Sequence, residues 1–246
     1  MKKKPIKLSV IIPVYNEEKS ILNLLDKVRL VNISKEIIVI DDGSIDNTNK
    51  ILRDNHTTYD KLITLAENKG KGYACRVGIK NAKGAYVVIQ DADLEYDPHN
   101  FFDMISVINK DTRVVYGSRA LKGGINTSPP GLRPYFSKLA NYLLTKFSNL
   151  MSGQNLTDAH TCYKMFESDL IKQINLKENG FNFCPEVNAK IAKKKIKIIE
   201  VPINYYGRSY KEGKKIKLRH AFGAVYSIIK YNFPYKNLRI GCGGRI

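Results

Sequence analysis

The chain has 246 residues, 43% hydrophobic and 26% charged, which suits one large domain or two small ones with a sizeable core. Its four cysteines form no CxxC pair, so neither a zinc site nor a disulfide framework is indicated, and a reducing compartment is favoured. The net charge is +18, and residues 190–246 hold 15 of the 41 Lys and Arg but 2 of the 23 acids, which predicts an anionic partner: a membrane surface, a lipid phosphate or nucleic acid.

Strand and helix patterns alternate through the first half of the chain. Apolar runs predict strands at residues 6–12, 36–40, 62–66, 86–90 and 113–116. Helical periodicity and capping residues predict helices at 17–31, from 44 or 46 onward, from about 72 to 81, and at 98–109. Alternation with short links predicts an α/β fold, Rossmann-like, with a mostly parallel central sheet and helices on both faces.

The second half departs from this pattern. We predict a Gly- and Pro-rich loop at 120–130, helices at 131–151 and 183–193, a strand at 196–201, a basic loop at 208–217 and a basic amphipathic helix at 218–231. We expect one domain over residues 6–204, with residues 205–246 packed on it or extending from it. The last helix has an apolar face that either lies on an anionic bilayer or packs on the core, formed by Phe222, Val225, Ile228 and Ile229.

Asp91 and Asp93 come directly after the apolar run at residues 86–89. Residues two apart at a strand end project to the same side, and two carboxylates there repel each other unless a cation lies between them and a ligand. Oxygen ligands suit Mg²⁺ or Mn²⁺, which usually hold substrate phosphates. The pattern therefore predicts a diphosphate-handling site, and the alternative is an acidic strand end that faces solvent.

Polar clusters follow each predicted strand of the first half. They lie at residues 15–17, 41–42, 68–72, 91–93 and 118–119. Ligands of parallel sheets bind outside the carboxyl ends of the strands, so these clusters are expected to form one site.

Several motifs in this order resemble family 2 glycosyltransferases of the GT-A fold. They are Ile-Pro-Val-Tyr-Asn-Glu-Glu (12–18), Asp-Asp-Gly-Ser (41–44), Asp-Ala-Asp-Leu (91–94) and Gly-Ser-Arg (117–119). Leu-Thr-Asp (156–158), Phe-Cys-Pro-Glu (183–186) and Val-Pro-Ile (201–203) extend the resemblance to dolichol-phosphate mannose synthases and related polyprenyl-phosphate sugar transferases. The resemblance covers nearly the whole chain.

The resemblance implies a role for individual residues. The residues of the nucleotide-sugar site would be Pro13, Tyr15, Glu17, Ile40, Asp42, Asp91, Ala92, Asp93, Arg119, Arg208 and Lys214. Asp91 and Asp93 would hold Mg²⁺ or Mn²⁺, and Glu95, which stands where related synthases have Gln, would add charge and perform as a third ligand. Glu17 has an alternative reading as an acid at a helix N-terminus.

The implied reaction is an inverting displacement on a nucleotide sugar, GDP-mannose or UDP-glucose, with Asp93, Arg119 and Asp158 as catalytic residues. A polyprenyl phosphate acceptor, dolichyl or undecaprenyl, is already anionic and needs no general base. A hydroxyl acceptor in cell-surface polysaccharide or lipopolysaccharide synthesis would need one, with Asp158 the first candidate and Glu186 the second. Asp158 has the alternative role of fixing the loop beneath the acceptor.

Competing classes fit the sequence less well. The chain has no Trp and so lacks the Gln-x-x-Arg-Trp motif of processive polysaccharide synthases. A nucleotidyltransferase would need a Gly-rich phosphate loop after the first strand. A nucleic-acid-binding module fits poorly because, without a metal, Asp42, Asp91 and Asp93 would repel the phosphates of the nucleic acid. We therefore expect an enzyme that has no nucleic acid among its binding partners. We place it in the cytoplasm, peripheral at the inner face of an anionic membrane, with a membrane-protein partner as a further option.

Overall fold

The computed structural model describes residues 8–127, 132–208 and 219–233. Its centre is a seven-stranded sheet in the order β3-β2-β1-β4-β7-β5-β8. The strands are β1 (Leu8–Val14), β2 (Lys35–Asp41), β3 (Lys61–Thr64), β4 (Tyr86–Ile89), β5 (Val114–Ser118), β7 (Lys164–Glu167) and β8 (Ile199–Pro202). Only β7 runs antiparallel, between β4 and β5. The predicted α/β fold with a mostly parallel central sheet is therefore confirmed.

Helices cover both faces of the sheet, as predicted. One face packs against α1 (Ile21–Leu30), α2 (Thr48–Asp54) and α4 (Phe101–Ser106). The other face packs against α3 (Lys71–Asn81), α6 (Ser168–Lys172) and α7 (Phe183–Lys193). The strands between them are nearly continuous apolar runs because both of their faces are buried.

Two further helices form an outer layer. The long helix α5 (Leu132–Ser152) packs on α7, and α8 (Arg219–Asn232) packs on both α5 and α7. A two-stranded sheet joins β6 (Asn126–Thr127) to β9 (Tyr205–Tyr206), so the chain beyond residue 204 contacts the preceding residues. The proposed division into 6–204 and 205–246 stays a prediction.

The outer layer exposes apolar side chains. On α5, on α8 and directly after α8, the exposed large hydrophobic residues are Tyr135, Phe136, Leu139, Tyr142, Leu143, Leu150, Phe222, Tyr226, Ile229 and Phe233. We call this set the outer apolar surface. The predicted apolar face of the last helix is thus divided, because Ile228 is buried while Phe222 and Ile229 are exposed. No helix in the described part of the chain has the length and apolarity needed to cross a bilayer.

Element ends differ from the predictions by a few residues. The helix predicted at 98–109 is shorter, a 3-10 turn at Pro98–Asn100 followed by α4, which ends at Ser106. The helix expected from residue 44 or 46 begins at Thr48, because the turn before it is held by Asp41, whose carboxylate accepts a hydrogen bond from the Ser44 N–H. The predicted basic loop lies mostly outside the described residues.

Candidate active site

The polar strand ends lie along one edge of the sheet. Val14, at the end of β1, pairs with Asp41, at the end of β2, so the segments that follow leave the sheet at the same level. β4 lies on the other side of β1 and leads to Asp91 and Asp93. Arg119 directly follows β5. The predicted convergence therefore occurs at the carboxyl edge, the usual ligand position of an open α/β sheet.

Three residues predicted to contact the nucleotide lie on or after β1 and β2. Pro13 and Ile40 are paired across these strands and both are buried. Ile40 packs in the core beside α3, so its side chain contacts core residues in this arrangement. Tyr15, immediately after β1, is partly exposed at the edge. The nucleotide contacts of all three stay predictions.

Asp42 holds the neighbouring glycine turn. Its two carboxylate oxygens accept hydrogen bonds from the N–H groups of Lys69 and Gly70, at 2.9 and 2.8 Å. Gly70 has φ +98, and a Cβ there would lie 2.5 Å from the carbonyl oxygen of Asn179, so only glycine fits this turn. Burial raises the pKa of Asp42, and the two N–H groups oppose that rise. As placed, Asp42 positions the start of α3 as well as facing the edge.

Four carboxylates and two cations meet at this edge. We call them the acidic cluster: Glu17, Asp91, Asp93, Glu95, Lys71 and Arg208. Lys71 Nζ lies 2.5 Å from Asp91 Oδ1. The Arg208 guanidinium lies 3.2 Å from Glu17 and 3.3 Å from Asp93. Within the described part of the chain, the carboxylates of this mostly buried cluster therefore outnumber its cations.

Asp93 shows the consequence of this excess charge. Burial, followed by the nearby carboxylates of Asp91 and Glu95, raises its pKa to about 7, although Arg208 and Lys71 act in the opposite direction. Its neighbour Ala92 is buried, so the backbone between the two aspartates is fixed against the core. A proton on Asp93 relieves repulsion that a divalent cation would relieve more completely.

Asp91 and Asp93 fit a metal that is completed by substrate. Among residues 8–127, 132–208 and 219–233, no three His, Cys, Asp or Glu side chains are arranged to hold a metal by themselves. Glu95, the predicted third ligand, has one oxygen bonded to the Tyr205 hydroxyl at 2.7 Å and the other to the Arg208 N–H at 2.8 Å. Mg²⁺ typically uses one or two carboxylates and takes its other ligands from phosphate and water. Two aspartates suit that pattern. Glu95 anchors the segment at β9 in this arrangement, and its role as a third ligand stays a prediction.

Arg119 and Asp158 form a buried, forked ion pair. Arg119 Nε and Nη2 donate to the two oxygens of Asp158 at 2.6 and 2.9 Å, and the Arg119 N–H adds a bond of 3.2 Å. The guanidinium lies over the ring of Tyr205, with its centre 5.2 Å from the ring centroid. Burial would raise the pKa of Asp158, but Arg119 outweighs burial and holds that pKa well below its usual range.

Neither candidate general base has a carboxylate that is exposed and free to accept a proton from a substrate hydroxyl. Asp158 is wholly buried and its low pKa makes it a poor proton acceptor. Glu186 is also wholly buried, and its oxygens accept hydrogen bonds from the Lys177 and Glu178 N–H groups, both at 2.8 Å. The geometry favours the alternative reading of Asp158, in which it fixes a neighbouring residue. Lys214 lies outside the described residues, so its predicted phosphate contact stays a prediction.

Sequence reasoning included Lys71 only as part of the polar cluster at residues 68–72, without a role of its own, and missed Tyr205 and Asn141. Lys71 follows the glycine turn at the start of α3, and the Gly-Lys-Gly sequence beside a strand end was a usable signal. Tyr205 links Arg119 to Glu95, and Asn141 donates to Asp158 from the middle of α5 at 3.0 Å. Neither had a local signal, because each contacts the site only through the tertiary fold.

Comparisons with known proteins agree with this architecture. The sequence model described as "Glycosyl transferase family 2" matches residues 9–174. The low-salt glycan biosynthesis hexosyltransferase Agl6 of Haloferax volcanii is 30% identical over 205 residues, 82% of this chain and 48% of that protein. The dolichol-phosphate mannosyltransferase of Pyrococcus furiosus is 29% identical over 242 residues, 92% of this chain and 68% of that protein. The chain thus spans about half the length of the Haloferax protein.

A similar fold occurs among solved structures. Glucosyl-3-phosphoglycerate synthase from Mycobacterium tuberculosis, in complex with Mg²⁺ and uridine diphosphate, superposes with a TM-score of 0.68 at 16% sequence identity. The match covers 92% of this chain and 79% of the other.

Proposed function

Because the chain belongs to glycosyl transferase family 2, we propose that it transfers a hexose from a nucleoside-diphosphate sugar to a polyprenyl phosphate. The observation that carries the proposal is the acidic cluster, in which Asp91 and Asp93 come together with Glu17 and Glu95 at one site, as oxygen ligands and counter-charge for a divalent cation would. It lies beside Arg119 at the carboxyl edge of the sheet. GDP-mannose and UDP-glucose are the candidate donors, and dolichyl and undecaprenyl phosphates are the candidate acceptors.

Asp91 and Asp93 would hold Mg²⁺ or Mn²⁺, which supplies charge neutralisation for the leaving diphosphate. Tyr15, Glu17 and Asp42 would face the nucleoside. Glu17 is now bound to Arg208, so a nucleotide at this carboxylate would have to displace that arginine. The released guanidinium could then bind phosphate, the role that the family resemblance gives to Arg208.

The reaction we propose is a direct displacement with inversion. A phosphate oxygen of the acceptor forms a bond to the anomeric carbon, and the bond from that carbon to the diphosphate oxygen breaks, leaving its electron pair on the diphosphate. Arg119 would hold the acceptor phosphate in line, because its guanidinium is fixed by Asp158 and Tyr205. The acceptor is anionic at neutral pH, so no proton has to be removed.

The buried carboxylates favour this acceptor over a hydroxyl. A hydroxyl nucleophile needs a general base within reach. The two candidates, Asp158 and Glu186, are wholly buried and bound to Arg119 and to backbone N–H groups respectively. A phosphate acceptor makes no such demand, which is why we prefer it.

The outer apolar surface supports the proposal that the enzyme binds to a lipid bilayer. Phe222 and Tyr226 on α8 are 76% and 60% exposed, and Leu139 and Leu143 are exposed on α5, which packs against α8. Large apolar side chains exposed on two packed helices suit an interaction site. Aromatic rings and nearby Lys146, whose amine lies 5.5 Å from the Tyr142 ring, suit the interface of an anionic membrane. We place this contact at the inner face of the membrane. The alternative occupant of the outer apolar surface is a membrane protein.

A panel of labelled nucleotide sugars tests the proposal. We expect label from GDP-mannose or UDP-glucose to enter the organic phase when a short polyprenyl phosphate and Mn²⁺ or Mg²⁺ are present. Chelation, or Asp91→Asn, should reduce transfer by more than about 100-fold because the diphosphate loses its counter-charge. The control is Asp26→Asn, which changes an exposed carboxylate on α1. Transfer to water-soluble hydroxyl acceptors alone would refute the lipid-phosphate acceptor.

A further inference from the structure

Helix α5 turns four polar side chains toward the protein and several large apolar side chains toward solvent. The side chains of Thr145 and Ser148 are buried, and Asn141 and Asn149 are partly buried on the same side. These positions recur at intervals of three and four, so they form one face of the helix. The opposite face carries the part of the outer apolar surface that lies on α5.

The inner face of α5 is hydrogen-bonded to the segment at residues 156–159. Asn149 bonds Leu156 twice, from its amide to the Leu156 carbonyl at 2.8 Å and from the Leu156 N–H to its own oxygen at 3.0 Å. Thr145 Oγ1 accepts from the Ala159 N–H at 3.2 Å. Asn141 Nδ2 donates to Asp158 Oδ1 at 3.0 Å. Side chains on three successive turns thus hold one short segment.

That segment carries the carboxylate that positions Arg119. Asp158 Oδ1 receives one bond from Asn141 and one from Arg119 Nη2, so the amide and the guanidinium share one oxygen. Arg119 continues to Tyr205, whose hydroxyl donates to Glu95 in the acidic cluster. A continuous chain of contacts therefore runs from α5 to the site.

We propose that Asn141 and Thr145 are positioning residues, which transmit the docking of α5 on lipid to the Arg119–Asp158 pair. This inference rests on the proposed function. Lipid contact covers the outer face of α5 and stabilises the helix, and its inner face then holds residues 156–159 more firmly. Because Asp158 in that segment fixes Arg119, the guanidinium is best ordered when the enzyme is bound to the bilayer that contains the polyprenyl phosphate acceptor.

Steady-state kinetics test the role of Asn141. Asn141→Leu removes the donor at similar volume and should raise the KM for polyprenyl phosphate about tenfold, the usual effect of losing a hydrogen bond to a charged group. The KM for the nucleotide sugar should change less than about twofold. Ser152→Ala is the matched control, since the bonds that Ser152 makes within the described ranges are to Ser148 of the same helix and to Gln154. An unchanged acceptor KM, or equal losses for both substrates, would overturn the proposal.

A pair of variants at Thr145 separates positioning from folding. Thr145→Val removes the oxygen that accepts from Ala159 and should raise the acceptor KM, whereas Thr145→Ser keeps the oxygen and should restore it. Failure of the serine variant to restore the acceptor KM would count against the inference. If the wild-type enzyme transferred no sugar to lipid, the proposed function itself would be lost, which is a distinguishable result.

Hydrogen exchange measures the coupling without turnover. Vesicles of equal phosphatidylglycerol and phosphatidylcholine should slow exchange at the amides of Leu156 and Ala159 in the wild-type protein by at least about threefold. The Asn141→Leu variant should bind the same vesicles and lose most of that protection. Vesicle binding with no change at these amides in the wild-type protein would overturn the inference.

Discussion

At the residue scale, Arg208 is the cation that contacts three of the four carboxylates of the acidic cluster. Its guanidinium bridges Glu17 and Asp93, and its N–H holds Glu95, so it contacts both the predicted nucleoside side and the predicted metal side of the site. An arginine in this position provides part of the charge that metal and substrate phosphates would rearrange. The remaining imbalance falls on Asp93, whose raised pKa gives the site a pH dependence.

Asp93→Asn tests that imbalance. The pKa of about 7 in the fold lies above the value of 3.8 for a free aspartate, so the folded state binds the extra proton and loses stability as pH rises from about 4 to 7. The variant should therefore melt about 3 °C or more above wild type at pH 8 and show a smaller difference at pH 5. It should also lose metal-dependent transfer. Melting curves without metal measure the first effect.

The Asp26→Asn variant is the control for this experiment. Asp26 is exposed on α1, so its replacement should leave melting within about 1 °C of wild type at both pH values. A wild-type protein whose affinity for Mn²⁺ did not rise between pH 6 and 8 would contradict the assignment, because metal must displace the proton on Asp93.

Sequence patterns were informative at the element scale where the β/α alternation was regular. β1, β2 and β4, with the aspartates after β4, follow from apolar runs and polar ends. β7 was not predicted, because four residues with a lysine among them give no clear strand period. The periodicity of residues 131–151 predicted the helix α5 but could not show which of its faces points outward, since packing in the fold decides which side is covered.

Lys164, the lysine in β7, offers a test of this element. It is wholly buried, with Nζ 3.1 Å from the Ala159 carbonyl, 3.3 Å from Asn188 Oδ1 and 3.4 Å from the centroid of the Tyr116 ring. Burial lowers its pKa to about 8 from 10.5. The unfolded chain therefore binds more protons between pH 8 and 10.5, and stability from this group rises with pH across that window.

Lys164→Met should remove this pH dependence. We expect its melting temperature to equal or exceed that of wild type at pH 7, because an apolar side chain avoids the burial of charge, and the difference to shrink by pH 10.5. Asn188 Nδ2 would still bond the Ala159 carbonyl at 2.7 Å. Lys80→Met, at an exposed position of α3, is the control. A variant destabilised equally at both pH values would show that Lys164 acts through its contacts instead.

Charge and apolar surface together suggest one orientation for the whole molecule. The net charge of +18 is concentrated after residue 190, and α8 lies within that region. The outer apolar surface combines α8 with α5, which reaches the site through Asn141. An anionic bilayer would satisfy both features, by counter-charge and by covering apolar area.

Because the chain has no Trp, a single introduced one reports on its own surroundings. Leu139→Trp on α5 should show a blue shift of about 10 nm or more with anionic vesicles, as an indole that enters the interface leaves water. The shift should weaken with neutral lipid or high salt, because the basic surface contributes to binding. Lys27→Trp, exposed on α1, should not shift. Equal shifts at both positions would indicate non-specific adsorption, and no shift at Leu139 would leave a membrane protein as the occupant of the outer apolar surface.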